Sequence, residues 1–124
     1  MSSFPKRILI VEDNKIDVRL VKDILEAHGY DTLQTGDAFE AIDLAVTNLP
    51  DLILMDIQLP HMTGMEVTRR LRGDERSRRI PIIAVTALVT QRYKREALDS
   101  GCDAYMSKPI TMFGLLSTVE SFHS

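Results

Sequence analysis

The stretch Asp51-Leu52-Ile53-Leu54-Met55-Asp56-Ile57-Gln58-Leu59-Pro60 decides the fold of this 124-residue chain. Four consecutive apolar residues without polar alternation suit a strand buried on both faces, and this run stops abruptly at a carboxylate, Asp56. Upstream, Ile8-Leu9-Ile10-Val11 repeats the pattern and ends in Glu12-Asp13. Downstream, Pro81 opens a run from Ile82 to Val85 that ends at Thr86, and Ala104 to Ser107 leads into Lys108-Pro109. Proline is tolerated at a first strand position because no ladder donor is needed there. Tyr30 to Thr35 is a shorter β-leaning segment.

Helical periodicity fills every gap between these runs. Ile16, Leu20 and Ile24 recur every four residues with Val21 and Leu25 beside them, and Gly29 is a stop signal. Asp37 can cap the next helix, whose face is traced by Ala38, Ile42, Ala45 and Leu49 before Pro50. After the turn Gln58 to Gly64, Val67 and Leu71 share one side of a helix that stops at Gly73. Gln91 to Ser100 forms a weakly amphipathic helix ended by Gly101, and Thr111 caps a last one carrying Leu115, Leu116, Val119 and Phe122. Gly114 inside that helix costs about 1 kcal/mol relative to alanine. Five strand–helix units in strict alternation predict an α/β fold: a doubly wound parallel sheet with helices on both faces. Right-handed crossovers put all strand C-termini on one edge, where ligands of such sheets bind.

Composition narrows the function classes. The chain has 44% hydrophobic residues, 15 Lys plus Arg against 18 Asp plus Glu, and a net charge of -3, which fits one folded domain and not a phosphate-neutralising nucleic-acid binder. A single cysteine, Cys102, excludes an internal disulfide and multi-cysteine metal sites, and reads as a small core residue. No run reaches the length of a membrane span, and Met1 to Arg7 lacks the apolar stretch of a secretory signal, so the expectation is a cytoplasmic protein. Arg69, Arg70, Arg72, Arg76, Arg78 and Arg79 form a basic cluster, but Glu66, Asp74 and Glu75 are interspersed without interleaved aromatics. It reads as a solvated helix end. His61 reads as loop surface beside Asp56, His28 as a helix-end residue and His123 as tail.

The residues at the strand ends carry the chemistry. Glu12, Asp13, Asp56, Thr86 and Lys108 converge on one rim. Like charges about 4 Å apart repel by about 4 kcal/mol at an effective dielectric near 20, so such a cluster needs compensation. A hard divalent cation is the usual answer, and Mg²⁺ binds through a few carboxylates while keeping positions open for phosphate oxygens. Three carboxylates and one Mg²⁺ leave a single negative charge, which Lys108 neutralises. The site suits a small dianion that arrives and leaves.

Ile8 to Asn14, Leu54 to Pro60 with Gly64, Val85-Thr86-Ala87 and Lys108-Pro109 together resemble the signature of two-component receiver domains, the CheY-like response regulators. The resemblance spans essentially the whole chain and implies a flavodoxin-like sheet of strand order 2-1-3-4-5. It implies that Asp56 takes a phosphoryl group from a histidine kinase or a histidine phosphotransfer protein. Mg²⁺, or Mn²⁺ in its place, would sit on Asp13, Asp56 and the backbone carbonyl of Gln58, with Glu12 acting through water. Lys108 would pair with a phosphoryl oxygen, Lys108–Pro109 would be cis, and Thr86 and Tyr105 would form the switch. Output would pass through the face from about Gln91 to Phe122 to a downstream protein, the chain being a monomer or weak homodimer.

Rival functions on this fold fare worse. A Mg²⁺-dependent phosphohydrolase of the best-known aspartyl-phosphate type carries a second acid two residues after the nucleophile, where this chain has Gln58. A nucleotide or flavin carrier needs a Gly- or Ser-rich loop where Glu12-Asp13 would repel the phosphate. A module that no longer signals by phosphate would not need the full acid–Thr–Lys set. A receiver cut from a larger kinase, or one shuttling phosphate in a relay, shares the site; the start at Met1 and the absence of a following domain favour a free-standing regulator.

Overall fold

The computed structural model describes residues 7–88 and 90–122, so the sequence readings at Met1 to Lys6 and His123 lie outside the described residues. Five parallel strands, β1 (Arg7–Val11), β2 (Asp31–Thr35), β3 (Leu52–Asp56), β4 (Ile82–Thr86) and β5 (Ala104–Ser107), form one sheet in the order β2-β1-β3-β4-β5. The connecting helices are α1 (Lys15–Ala27), α2 (Ala38–Asn48), α3 (Gly64–Arg72) and α4 (Gln91–Asp99), and α5 (Met112–Glu120) follows β5. The predicted architecture and strand order are those observed.

Unalternating apolar strands bury side chains on both faces, and the sheet separates two cores. On one side Leu9, Val11, Ile53, Met55, Ile82 and Ala84 pack against Ala38, Ala41 and Ala45 of α2, Val67 and Leu71 of α3 and Ala97 of α4. On the other, Ile8, Ile10, Leu52, Leu54, Ile83 and Val85 meet Val21 and Leu25 of α1 and Leu115 and Val119 of α5. Each fully buried Ile or Leu contributes about 2 kcal/mol of transfer free energy. The ladder aligns the strand ends: Val11 pairs with Met55, Asp56 with Val85, and Thr86 with Ser107.

Local chemistry sets the helix ends. Asn14 Oδ1 accepts from the Ile16 and Asp17 N–H groups, Asp37 from Phe39, Thr63 from Glu66, Thr90 from Tyr93 and Thr111 from Gly114. Each such cap satisfies an orphan donor of the first turn and contributes about 1 kcal/mol. Gly114 also leaves room for its cap, since a Cβ there would lie 2.9 Å from Thr111 Oγ1. After α1 the chain turns through Gly29 at φ +90°, and His28 Nδ1 lies 2.9 Å from Ile24 O.

Three expectations need correction. Ile16 is 79% exposed and Leu20 is exposed too, because α1 turns Val21 and Leu25 onto the sheet and the Ile16–Leu20 flank outward. Leu49 is 55% exposed; it occupies the left-handed cap of α2 at φ 48°, beyond the helical face. Arg72 is not a solvated member of the basic cluster. Its guanidinium donates to Gly101 O, Arg78 O, Ile80 O and Asp103 Oδ2 at 2.9, 3.1, 2.7 and 2.8 Å, clasping α3 to the segments before β4 and β5. By contrast Arg69 and Arg70 pair with Glu66, and Arg76 with Asp74, on the surface.

Candidate functional site

Strand polarity brings the chemistry-bearing residues to one rim. Glu12 and Asp13 follow β1, Asp56 ends β3, Thr86 ends β4 and Lys108 follows β5. Backbone bonds hold these ends together: Glu12 N–H donates to Thr35 O, Ile57 N–H to Val85 O, and Lys108 N–H to Thr86 O. One carboxylate oxygen from each of Glu12, Asp13 and Asp56 lies within 4.8 Å of the others. Asp13 is exposed, whereas Glu12 and Asp56 are only 6% and 4% accessible. A cleft of ≈ 580 Å³ opens beside Glu12 and Asp13, between α1 and the end of β2.

Asp56 is held at both oxygens. Gln58 N–H donates to Oδ1 at 2.9 Å and the Lys108 ammonium to Oδ2 at 3.3 Å. Lys108 also reaches Glu12 Oε1 at 2.7 Å and Asp17 Oδ2 at 3.0 Å. Asp17 escapes sequence reasoning, because its partner comes from the far end of the chain; the only local signal is an acid in the first turn after the acidic pair. Burial, reinforced by the neighbouring Asp56, pushes the Glu12 carboxyl up to about 7 despite Lys108. The three carboxylates around Lys108 hold its ammonium well above the ordinary lysine range in spite of burial. The Lys108 ammonium thus offsets part of the crowded negative charge, and the carboxylate oxygens of Glu12, Asp13 and Asp56 are the hard donors that a divalent cation takes.

The loop after β3 adds the turn that presents Asp56. Gly64 N–H donates to Ile57 O at 2.9 Å, which seats the start of α3 directly on this loop. His61 lies exposed in that turn at φ 69°. The peptide bond Lys108–Pro109 is cis. Thr86 is fully buried with its Oγ1 accepting from Leu88 N–H at 3.1 Å. The Tyr105 ring packs inward against the α2–α4 core, and its hydroxyl is enclosed without a hydrogen-bond partner among the described residues. Burial raises its pKa. Alternation along β4 and β5 puts Thr86 and Tyr105 on the α4 side of the sheet, whereas Lys108 leans onto α1 through Asp17. Cys102 is buried with its thiol pKa raised by burial, which disfavours the reactive thiolate.

Residues 8–120 match the model of the response regulator receiver domain family. The chain belongs to that family. Relatives in sequence include the polar-differentiation response regulator DivK of Brucella anthropi, 47% identical over 118 residues that cover 95% of this chain and 96% of that protein. DivK of Brucella abortus is 47% identical over 117 residues, covering 94% and 95%. Among solved receivers, that of a sensor histidine kinase of Pseudomonas aeruginosa has a TM-score of 0.88 at 33% identity, covering 95% of this chain and 97% of that one; it holds a magnesium ion in its active site cleft. The chemotaxis protein CheY4 of Vibrio cholerae has a TM-score of 0.89 at 26% identity, covering 94% and 98%. This receiver is therefore closely related to the DivK response regulators and carries the phosphoacceptor fold of two-component signalling. It is a signalling domain rather than an enzyme of the ordinary kind. Among the described residues no helix is long and apolar enough to cross a membrane.

Proposed function

We propose that Asp56 accepts a phosphoryl group from a phosphohistidine on a histidine kinase or phosphotransfer protein and that the modified receiver then signals by binding a downstream protein. One Asp56 carboxylate oxygen forms the new O–P bond while the P–N bond to the donor imidazole breaks. The electron pair stays on the imidazole nitrogen, so the receiver needs no general base. Such transfer passes through a loose transition state, and the protein contributes position and charge. Lys108, already 3.3 Å from Asp56 Oδ2, supplies the positive charge nearest the acceptor. Glu12, Asp13, Asp56 and the Gln58 carbonyl would hold Mg²⁺, which when bound offsets charge on the phosphoryl oxygens.

The carrying observation is that Asp56, a buried carboxylate at the C-terminal end of the central strand β3, has one oxygen held by Gln58 N–H and the other by Lys108 within a metal-competent acid cluster. An attached phosphoryl group adds about -1.5 to -2 charge. Thr86 would answer with its hydroxyl, and Tyr105, on the same side of the sheet, would follow. Output would leave through α4, β5 and α5, where Leu98, Met112 and Phe113 stand exposed. On this reading the protein works in the cytoplasm as a monomer or weak homodimer, free of nucleic acid and membrane. Incubation of wild type and Asp56→Asn with acetyl phosphate and Mg²⁺, followed on a phosphate-affinity gel, tests it: only wild type should shift. A wild type that never shifts, or an Asn variant that shifts equally, leaves a phosphate-independent binding module. Thr86→Ala should still accept phosphate and lose the change in partner binding.

A further inference from the structure

We infer that Asp17 is a positioning residue that competes with the phosphoryl group for Lys108, an inference that rests on the phosphoacceptor reading of Asp56. An ammonium has three N–H donors, and in this structure all three are in use. They point to Glu12 Oε1 at 2.7 Å, Asp17 Oδ2 at 3.0 Å and Asp56 Oδ2 at 3.3 Å. A phosphoryl group on Asp56 adds oxygens that also require Lys108, so one present acceptor must give way. Glu12 is enclosed, and its other oxygen is already bound by Asn14 N–H at 3.0 Å; leaving Lys108 would strand it without water.

Asp17 is differently placed. Its side chain is 26% exposed in the first turn of α1, so it can turn to solvent. An acid in a first helical turn is favourable through the helix dipole alone, but that role requires no contact with a lysine from the β5–α5 connection. Asp17 therefore shares Lys108 with the acceptor in the resting receiver and gives up its share when the phosphoryl group arrives. The same release frees the first turn of α1 from the segment that follows β5.

Beryllofluoride with Mg²⁺ mimics an attached phosphoryl group without a covalent step, and its bound fluorines are read by ¹⁹F NMR titration. Asp17→Asn and Asp17→Ser should each bind it about threefold or more tightly than wild type, as expected for removal of a partly exposed competing charge. Asp17→Glu should stay near wild type. In a Lys108→Gln background the Asp17→Asn change should have no effect. Unchanged or weaker binding in both Asn and Ser variants overturns the inference, as does equal tightening in the Lys108→Gln background, which would mark a diffuse charge effect. Failure of the wild type to bind, or equal binding by Asp56→Asn, overturns the reading of Asp56 itself.

Discussion

Gly64→Ala offers a direct test of how Asp56, the proposed phosphoacceptor, is seated. A Cβ at Gly64 would meet the Asp56 carbonyl carbon and Ile57 Cα each at 3.0 Å, and the Asp56 carbonyl oxygen closer still. These are backbone atoms of the segment that carries Asp56, so no flexible side chain can yield. The start of α3 must back away, stretching the 2.9 Å bond from Gly64 N–H to Ile57 O, or the Asp56–Ile57 segment must shift. Overpacking of this kind costs about 1–3 kcal/mol, equivalent to a fall in Tm of about 3–12 °C for a domain of this size. The effect on phosphorylation should be larger in proportion, because a misplacement of about 1 Å at a reacting group costs about a hundredfold in rate. Calorimetry and the initial rate of phosphorylation by acetyl phosphate measure the two effects. Gly73→Ala is the control: its Cβ would meet only Arg69 O and Arg70 O at 3.6 Å, with φ at -82°, so stability should be unchanged or rise by about 0.5 kcal/mol. A Gly64→Ala protein with wild-type Tm and wild-type rate would refute the claim that this contact sets the position of Asp56.

The acid cluster should make Mg²⁺ affinity depend on pH. With the Glu12 carboxyl raised to about 7, the metal competes with a proton below that pH. Affinity should then fall as pH drops from 7 to 5.5, by about tenfold per unit at most, and level off above 7; calorimetric titration across this range would show it, and a flat profile would contradict it. Without metal the sign for stability is opposite: the native state keeps the Glu12 proton longer than the unfolded chain, so this group's contribution declines as pH rises from 4.5 to about 7. Lys108 has a raised pKa and stays charged in both states throughout that window, so it adds no slope there. Arg72→Ala should cost about 3 kcal/mol in urea unfolding because it leaves the Gly101, Arg78 and Ile80 carbonyls without their donor, whereas Arg69→Ala should cost under about 0.5 kcal/mol. Thr111→Ala should cost about 1 kcal/mol through loss of the α5 cap.

The sheet was legible because its strands are short apolar runs stopped by charge or hydroxyl, a pattern written locally at Val11-Glu12, Met55-Asp56 and Val85-Thr86. Helix caps at Asp37 and Thr111 were legible for the same reason. Orientation was not. In α1 both Ile16–Leu20–Ile24 and Val21–Leu25 obey helical spacing, and only packing against the sheet decides that Val21 and Leu25 go inward. The site was legible as far as strand ends define it: Glu12, Asp13, Asp56 and Lys108 do meet. What stayed hidden were partners distant in sequence, such as Asp17 for Lys108 and Asp103 for Arg72. An acid in the first turn of α1 is ordinary at a helix start, so the position of Asp17 does not by itself point to Lys108.

The single sheet between two cores has a consequence for variation. Among the described residues, the buried side chains beneath α1 and α5 and those beneath α2, α3 and α4 form two separate clusters, one on each face of the sheet. Substitutions in one layer should therefore combine with those in the other almost additively. The top edge is where that insulation ends, since Asp56 has Lys108 toward one layer and Thr86 toward the other. Drift in either core can thus accumulate independently, while changes at the edge are felt by both.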